Sequence, residues 1–400
     1  MKRALLTASW FAAAVPAILL SVSRFRDAAH SADRMDFDAA FLPAAQAIAA
    51  GASPYVAPGY VYPPYYALAL APVSGFSWAA DATTIALLAC GVAACFVAAR
   101  SFTRDAPALA GPVVAAAAAV TLLYSWPATF NMWGLEPELA VLLCLALAAG
   151  AKGAASGFAL ATATSIKLWP VLLGAWLLRS PLAGRGREWR GVALAAAATV
   201  ASLLAVGGPG AIGILLGRAF EFRSQPLVAY SASGAARLLF TDSPMATPLA
   251  SSALAYGVAQ FVLTGWLLVL AIVVIRHPGD RRLALFNLAF ILVLLLPVSH
   301  YVYLILPLPT LWFWLSRLGR EPASRAAWVA SIALALWWVL AFRTAPAGDS
   351  LTTTWGSFVR IFGASLAAAT VSVLAAATLR PAAGPEAEDA APATRPGRPA

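Results

Sequence analysis

Charge is what this chain has least of. Only 11% of its 400 residues are charged, where a soluble domain carries about 25%, so a water-soluble globular fold is excluded. Acidic residues number 17 and histidines three. The three cysteines, Cys90, Cys95 and Cys144, all lie in apolar runs without metal-ligand spacing, which argues against a disulfide framework or a zinc site. No metal cluster, glycine-rich phosphate loop or serine-hydrolase elbow occurs in the sequence. The net charge of +10 does not mark a nucleic-acid face, because Lys and Arg are scattered between apolar segments rather than clustered.

What is abundant is apolar surface. Hydrophobic residues make up 61% of the chain and mean hydropathy is +0.79, the composition of an all-α polytopic membrane protein. Apolar runs near 4–22, 78–99, 106–126, 136–151, 191–207, 248–275, 283–299, 301–316, 326–342 and 356–379 are each long enough to span, or nearly so with tilt. These runs predict a bundle of about 11–13 helices with outer juxtamembrane helices. Placing the N-terminus inside puts 18 of the 27 Lys and Arg residues in cytoplasmic positions, as the positive-inside rule requires. Residues 1–379 then form one transmembrane domain with outer loops at 24–77 and 208–247. The Pro- and Ala-rich stretch 380–400 reads as a disordered cytoplasmic tail.

One apolar stretch, Gly153 to Leu178, has cytoplasmic flanks on both sides, Lys152 before it and Arg179 to Arg190 after it. It is expected to enter the membrane and return, turning near Ser165 to Pro170, with Pro170 breaking the helix. Lys167 then sits in an apolar hairpin, where an ionisable side chain is expensive and by default functional. It either holds an anionic phosphate as a point charge or snorkels to the outer interface.

Acidic residues gather just after the first span. Asp36 and Asp38, with Phe37 and Phe41 to dock them at the membrane face, have the setting of a general base, the competing reading being a helix N-cap. Asn131, Glu136 and Glu138 flank a second outer turn, where the glutamates either bind substrate or cap the next helix. His300 lies in a third turn, Pro297 to Tyr303, placed to hydrogen-bond a sugar or phosphate or to move a proton. Arg218, Arg223 and Arg237, interleaved with aromatic residues, form a basic outer segment able to grip phosphate.

The order of these features is more telling than any one of them. Asp36-Phe37-Asp38, Ala44-Ala45 to Ala50-Gly51, Pro54-Tyr55, then Tyr62-Pro63-Pro64 before Leu68 to Pro72, resembles the N-terminal signature of the bacterial family 87 glycosyltransferases. These are GT-C-type enzymes that include polyprenyl-phosphate-mannose-dependent mannosyltransferases of actinobacterial envelopes. Ser165-Ile166-Lys167 with Pro170, Trp189-Arg190, and Pro297 to His300 look like later elements of that family. This chain departs from the pattern in carrying Ala39-Ala40-Phe41 after its carboxylates, one histidine at the later element, and Glu136-Pro137-Glu138 near Gly134.

The resemblance implies an inverting transfer of mannose, or another hexose or pentose, from a polyprenyl-phosphate donor. The acceptor is an envelope lipid or glycan at the outer face of the bacterial plasma membrane, and neither cofactor nor metal is expected. It implies Asp36 or Asp38 as the base and Lys167, Arg218 and Arg223 as cations for the donor phosphate. Tyr62, Asn131, Glu136, Arg237 and His300 are then substrate-binding. A lipid-linked sugar transporter or flippase, the alternative, predicts ionisable residues near the midplane in paired repeats. Most ionisable residues here sit at the outer boundary, and no internal repeat is found.

Overall fold

The computed structural model describes residues 2–29, 34, 36–180, 182–221, 230–242, 248–277, 279–297, 299–318, 325–342 and 355–379. Arg223 and the 380–400 tail therefore lie outside the described residues. Among these residues there is no strand, and the chain is an all-α polytopic membrane protein.

The chain opens with α1 (Lys2–Ala29) and passes through the short helices α2 (Leu42–Ala49) and α3 (Tyr65–Leu70) into α4 (Ala79–Phe102). Helices α5 (Ala110–Leu123) and α6 (Trp126–Gly134) meet at a 63° bend, where Ser125 caps α6 and Pro127 occupies its first turn. Then follow α7 (Glu138–Gly150), α8 (Ala154–Ile166), a 3-10 segment Trp169–Arg179, α9 (Leu182–Gly207) and α10 (Ala211–Glu221). The second half holds α11 (Ala232–Phe240), α12 (Ala253–Arg276), α13 (Arg281–Leu295), a 3-10 turn Tyr301–Ile305, α14 (Leu308–Leu315), α15 (Arg325–Phe342) and α16 (Trp355–Thr378). Six of these helices are long and apolar enough to cross a membrane, seven if the bent α5–α6 pair is one span.

Gly153 to Leu178 doubles back. Helix α8 runs alongside α9 in the same direction: Gly157 lies against Glu188, Gly191 against Ala154 and Phe158, and the Ser165 and Thr199 hydroxyls pair at 2.5 Å. The 3-10 segment must therefore carry the chain back to where α8 began. Its 11 residues reach about 22 Å, against about 20 Å for the 13 residues of α8. The break is not at Pro170. Helix α8 ends at Ile166, Lys167 is extended (φ −132°, ψ 134°), and Pro170 stands in the first turn of the 3-10 segment, where its fixed φ and missing N–H are tolerated.

Two sets of contacts define the ends of the bundle. At one end Arg282 donates to the Ser101 carbonyl, Arg104 to that of Gly150 and Arg179 to that of Gly279. There Arg281 pairs with Glu188, and Arg282 and Arg317 both pair with Asp280. At the other end Arg24 donates to the Leu123 carbonyl, the Tyr230 N–H to that of Ser299, and Tyr301 to that of Ala341. Every residue of the first end falls in a loop or helix end given to the cytoplasm by the positive-inside reading.

Candidate functional site

The site is built at the second end, from three loops. The first contains Asp36, which starts a π-helical turn, Phe37–Phe41. Phe37 and Phe41 are buried, and Phe41 sits among Tyr60, Tyr62 and Tyr66, edge-on to Tyr66 at 4.8 Å. This aromatic nest anchors the turn, and Asp36 projects from its start without making a side-chain cap bond. Asp38 is also exposed, so the two carboxylates share an element, but Asp36 alone faces the cluster described next.

The second loop joins α6 to α7. Leu135 adopts a left-handed conformation, φ 49°, rare for a branched residue and a strain that the surroundings must hold in place. Tyr66 does so, its hydroxyl donating to the Leu135 carbonyl at 2.5 Å. The turn delivers Glu136 and, past Pro137, Glu138. Pro137 is the N-cap of α7 and makes no side-chain cap bond, and Glu138 opens the first turn of the helix. Glu138 is fully buried and accepts from the Asn131 amide at 3.0 Å.

The third element is the hairpin apex. Lys167 is 1% exposed, so it does not snorkel. Its ammonium donates to Glu136 Oε2 at 2.7 Å and to Glu138 Oε1, with the Tyr303 hydroxyl at 3.5 Å. The rings of Tyr62 and Tyr303 face it at 5.0 and 4.7 Å. An ion this deep is tolerable because two carboxylates and two aromatic faces replace its water.

The Asp36 carboxyl closes the group. It hydrogen-bonds to Glu136, and this bond, burial of the carboxyl, and the Glu136 charge push its pKa up to about 8. Burial works against the charge on Glu136, but Lys167 beside it and the Asp36 hydrogen bond hold it below the usual carboxylate range. The two carboxyls thus push each other's titration apart, Asp36 upward and Glu136 downward. His300 stacks edge-on against Tyr303 at 5.5 Å, and burial lowers its pKa despite the Glu136 charge nearby.

Among the residues singled out from the sequence, the structure brings together Asp36, Tyr62, Asn131, Glu136, Lys167 and His300. It sets others apart. Arg218 donates to the carbonyls of Tyr55, Ala57 and Tyr60 at 2.7–2.9 Å, which ties α10 to the first loop, and Arg237 is exposed on α11. Glu138, weighed from the sequence beside Glu136, joins the site as a partner of Lys167, and Tyr66 and Tyr303 join it without having been singled out.

Glycosyltransferase family 87 matches residues 60–299, more than half of the chain. The matched stretch includes Glu136, Glu138 and Lys167 and begins after Asp36. No curated protein matches the chain.

Proposed function

The chain belongs to glycosyltransferase family 87 and is a membrane glycosyltransferase, and from that premise we propose that it moves a sugar from a polyprenyl-phosphate donor to an envelope lipid or glycan acceptor at the outer face of a bacterial plasma membrane, with Asp36 as the base. The observation that carries this reading is the meeting of the Asp36 carboxyl with Glu136 and Lys167, at the end of the bundle opposite the arginine-rich one. An acceptor hydroxyl placed at Asp36 gives up its proton as its oxygen attacks the anomeric carbon. The bond from that carbon to the phosphate oxygen breaks on the far side, which inverts the centre. The leaving lipid phosphate takes the electron pair and needs cations rather than a proton donor.

Those cations are proposed from Lys167, Arg218, Arg223 and Arg237. Their surroundings rank them: Lys167 is ion-paired to two carboxylates and Arg218 holds three backbone carbonyls. The exposed Arg237 is thus better placed to meet a headgroup phosphate. Tyr62, Asn131 and His300 surround the Asp36 cluster and are assigned to shaping the sugar site.

Purified enzyme with a polyprenyl-phosphate sugar donor tests the base. Asp36→Asn, near-isosteric, should lower the transfer rate by about 10²–10⁴-fold, while Asp38→Asn should leave it within a few-fold. Wild-type transfer by folded Asp36→Asn would refute the assignment.

A further inference from the structure

Of the three ions paired at the hairpin apex, one reaches the surface. The side chains of Lys167 and Glu138 are 1% and 0% exposed, that of Glu136 11%. Both oxygens of Glu138 are committed inside the protein, Oε1 to Lys167 and Oε2 to the Asn131 amide. Glu136 gives Oε2 to Lys167 and is the member left able to meet a ligand. A carboxylate paired with an ammonium is ionised, so it accepts hydrogen bonds and donates none. Two carboxylates against one ammonium also make the cluster net negative, which disfavours a phosphate and suits a hydroxyl. The backbone that carries Glu136 is held with equal care. Helix α6 ends with the N–H groups of Leu135 and Glu136 both donating to the Asn131 carbonyl, and at such an end the left-handed place usually goes to glycine. Leu135 at φ 49° could relax only by swinging the peptide that leads into Glu136. The carbonyl of that peptide is the one the Tyr66 hydroxyl holds at 2.5 Å, from a buried ring that is edge-on to Phe41.

We propose that Glu136 binds a hydroxyl of the sugar substrate, and that Tyr66 is a positioning residue that aims Glu136 by holding the Leu135 carbonyl. The proposal rests on the reading of this cluster as the transfer site. The hydroxyl donates to Glu136, no covalent bond changes there, and Lys167 and Glu138 stay paired behind it. Burial of the Leu135 side chain, 1% exposed, fixes that side chain in the core. The Tyr66 bond sets the direction in which the next residue leaves. Two substrates offer this chemistry, the sugar of the donor and the hydroxyls of the acceptor.

The test uses purified full-length enzyme with the polyprenyl-phosphate sugar and the acceptor that wild type couples, together with monodeoxy analogues of each. In wild type, one analogue should lose about 10–100-fold in kcat/KM, the worth of a hydrogen bond to a charged group. In Glu136→Ala that analogue and its parent should be used equally well, and the series in which this happens tells donor from acceptor. Glu136→Gln, which keeps an acceptor oxygen, should show reduced discrimination, and it reads the same series if the Ala variant does not fold. Tyr66→Phe, which removes only the hydroxyl, should lose a few-fold to about 10-fold in the wild-type background and nothing further in Glu136→Ala. A tyrosine that merely stabilised the fold would cost the same factor in both backgrounds. Discrimination that survives in every Glu136 variant overturns hydroxyl binding, and additive losses overturn the positioning role. Transfer at the wild-type rate by both Asp36→Asn and Glu136→Ala would refute the reading of the cluster as the transfer site, whereas loss in Asp36→Asn with none in Glu136→Ala removes this proposal alone.

Discussion

A carboxyl that holds its proton up to about pH 8 couples the stability of the fold to pH in a definite sense. Asp36 titrates near 3.9 in an unfolded chain, so between about pH 4 and pH 8 the folded state binds more protons than the unfolded one. Its contribution is present below the unfolded value and is lost as pH rises through the folded one. Asp36→Asn, which cannot titrate, should therefore gain on wild type as pH rises. The expected outcome is a Tm difference, variant minus wild type, that increases between pH 5 and pH 9 in detergent; a flat difference would mean that folding does not raise the Asp36 pKa. Asp36 was legible as a candidate because carboxylates are scarce in this chain. Its partners were not: Glu136 and Lys167 stand far along the sequence, and only packing of the first loop against the α6–α7 turn shows which carboxylate faces inward. The phosphate role expected of Lys167 had the same blind spot, since the two glutamates 31 and 29 residues before it carry no mark of pairing with it.

At the scale of elements, the hairpin was readable from its flanks, because charge on both sides of an apolar stretch allows no simple crossing. The seam between its first arm and α9 was not readable. A methyl group added to Gly191 would collide with the Ala154 carbonyl oxygen, and one added to Gly157 with that of Glu188, so the two helices touch backbone to backbone, as small residues allow in membranes. Gly191→Ala should cost about 1–3 kcal/mol through overpacking, seen as a lower Tm in detergent. Gly257→Ala on α12, where nothing lies within 4 Å of an added methyl, should be near neutral. Equal effects would mean that the seam is looser than described. The site depends on this seam, since the end of α8 fixes the height at which Lys167 leaves the helix.

Across the whole molecule, the contacts at the two ends give each membrane element a direction. Arg282 on Ser101, Arg104 on Gly150, Arg179 on Gly279 and Arg317 on Asp280 gather the ends of α4, α7, α12 and α14 with the start of α13. The positive-inside rule predicts that this face is cytoplasmic, and the proposed function then requires the Asp36 cluster to lie on the outside. Single cysteines in an otherwise cysteine-free enzyme can check this in whole cells: a cysteine at the exposed Asp38 or at His300 should react only with reagent reaching the outer face, and one at Arg104 or Gly279 only from within. The reverse pattern would invert the molecule and with it the side on which sugar is transferred.

The Lys167 ion cluster also bears on how the protein is made. Glu136 and Glu138 leave the ribosome before Lys167, and the lysine follows them by 31 and 29 residues, a delay of a few seconds at about 5–20 residues per second. During that interval the start of α7 and the turn before it carry two acids without a counter-ion, and one arrives only when the returning hairpin brings Lys167 beside them. Helix α7 thus cannot settle on its own: the glutamates must wait at the interface, or be sheltered by the insertion machinery, until α8 arrives. The same cluster that assembles the site makes α7, α8 and the returning segment a single unit of membrane insertion.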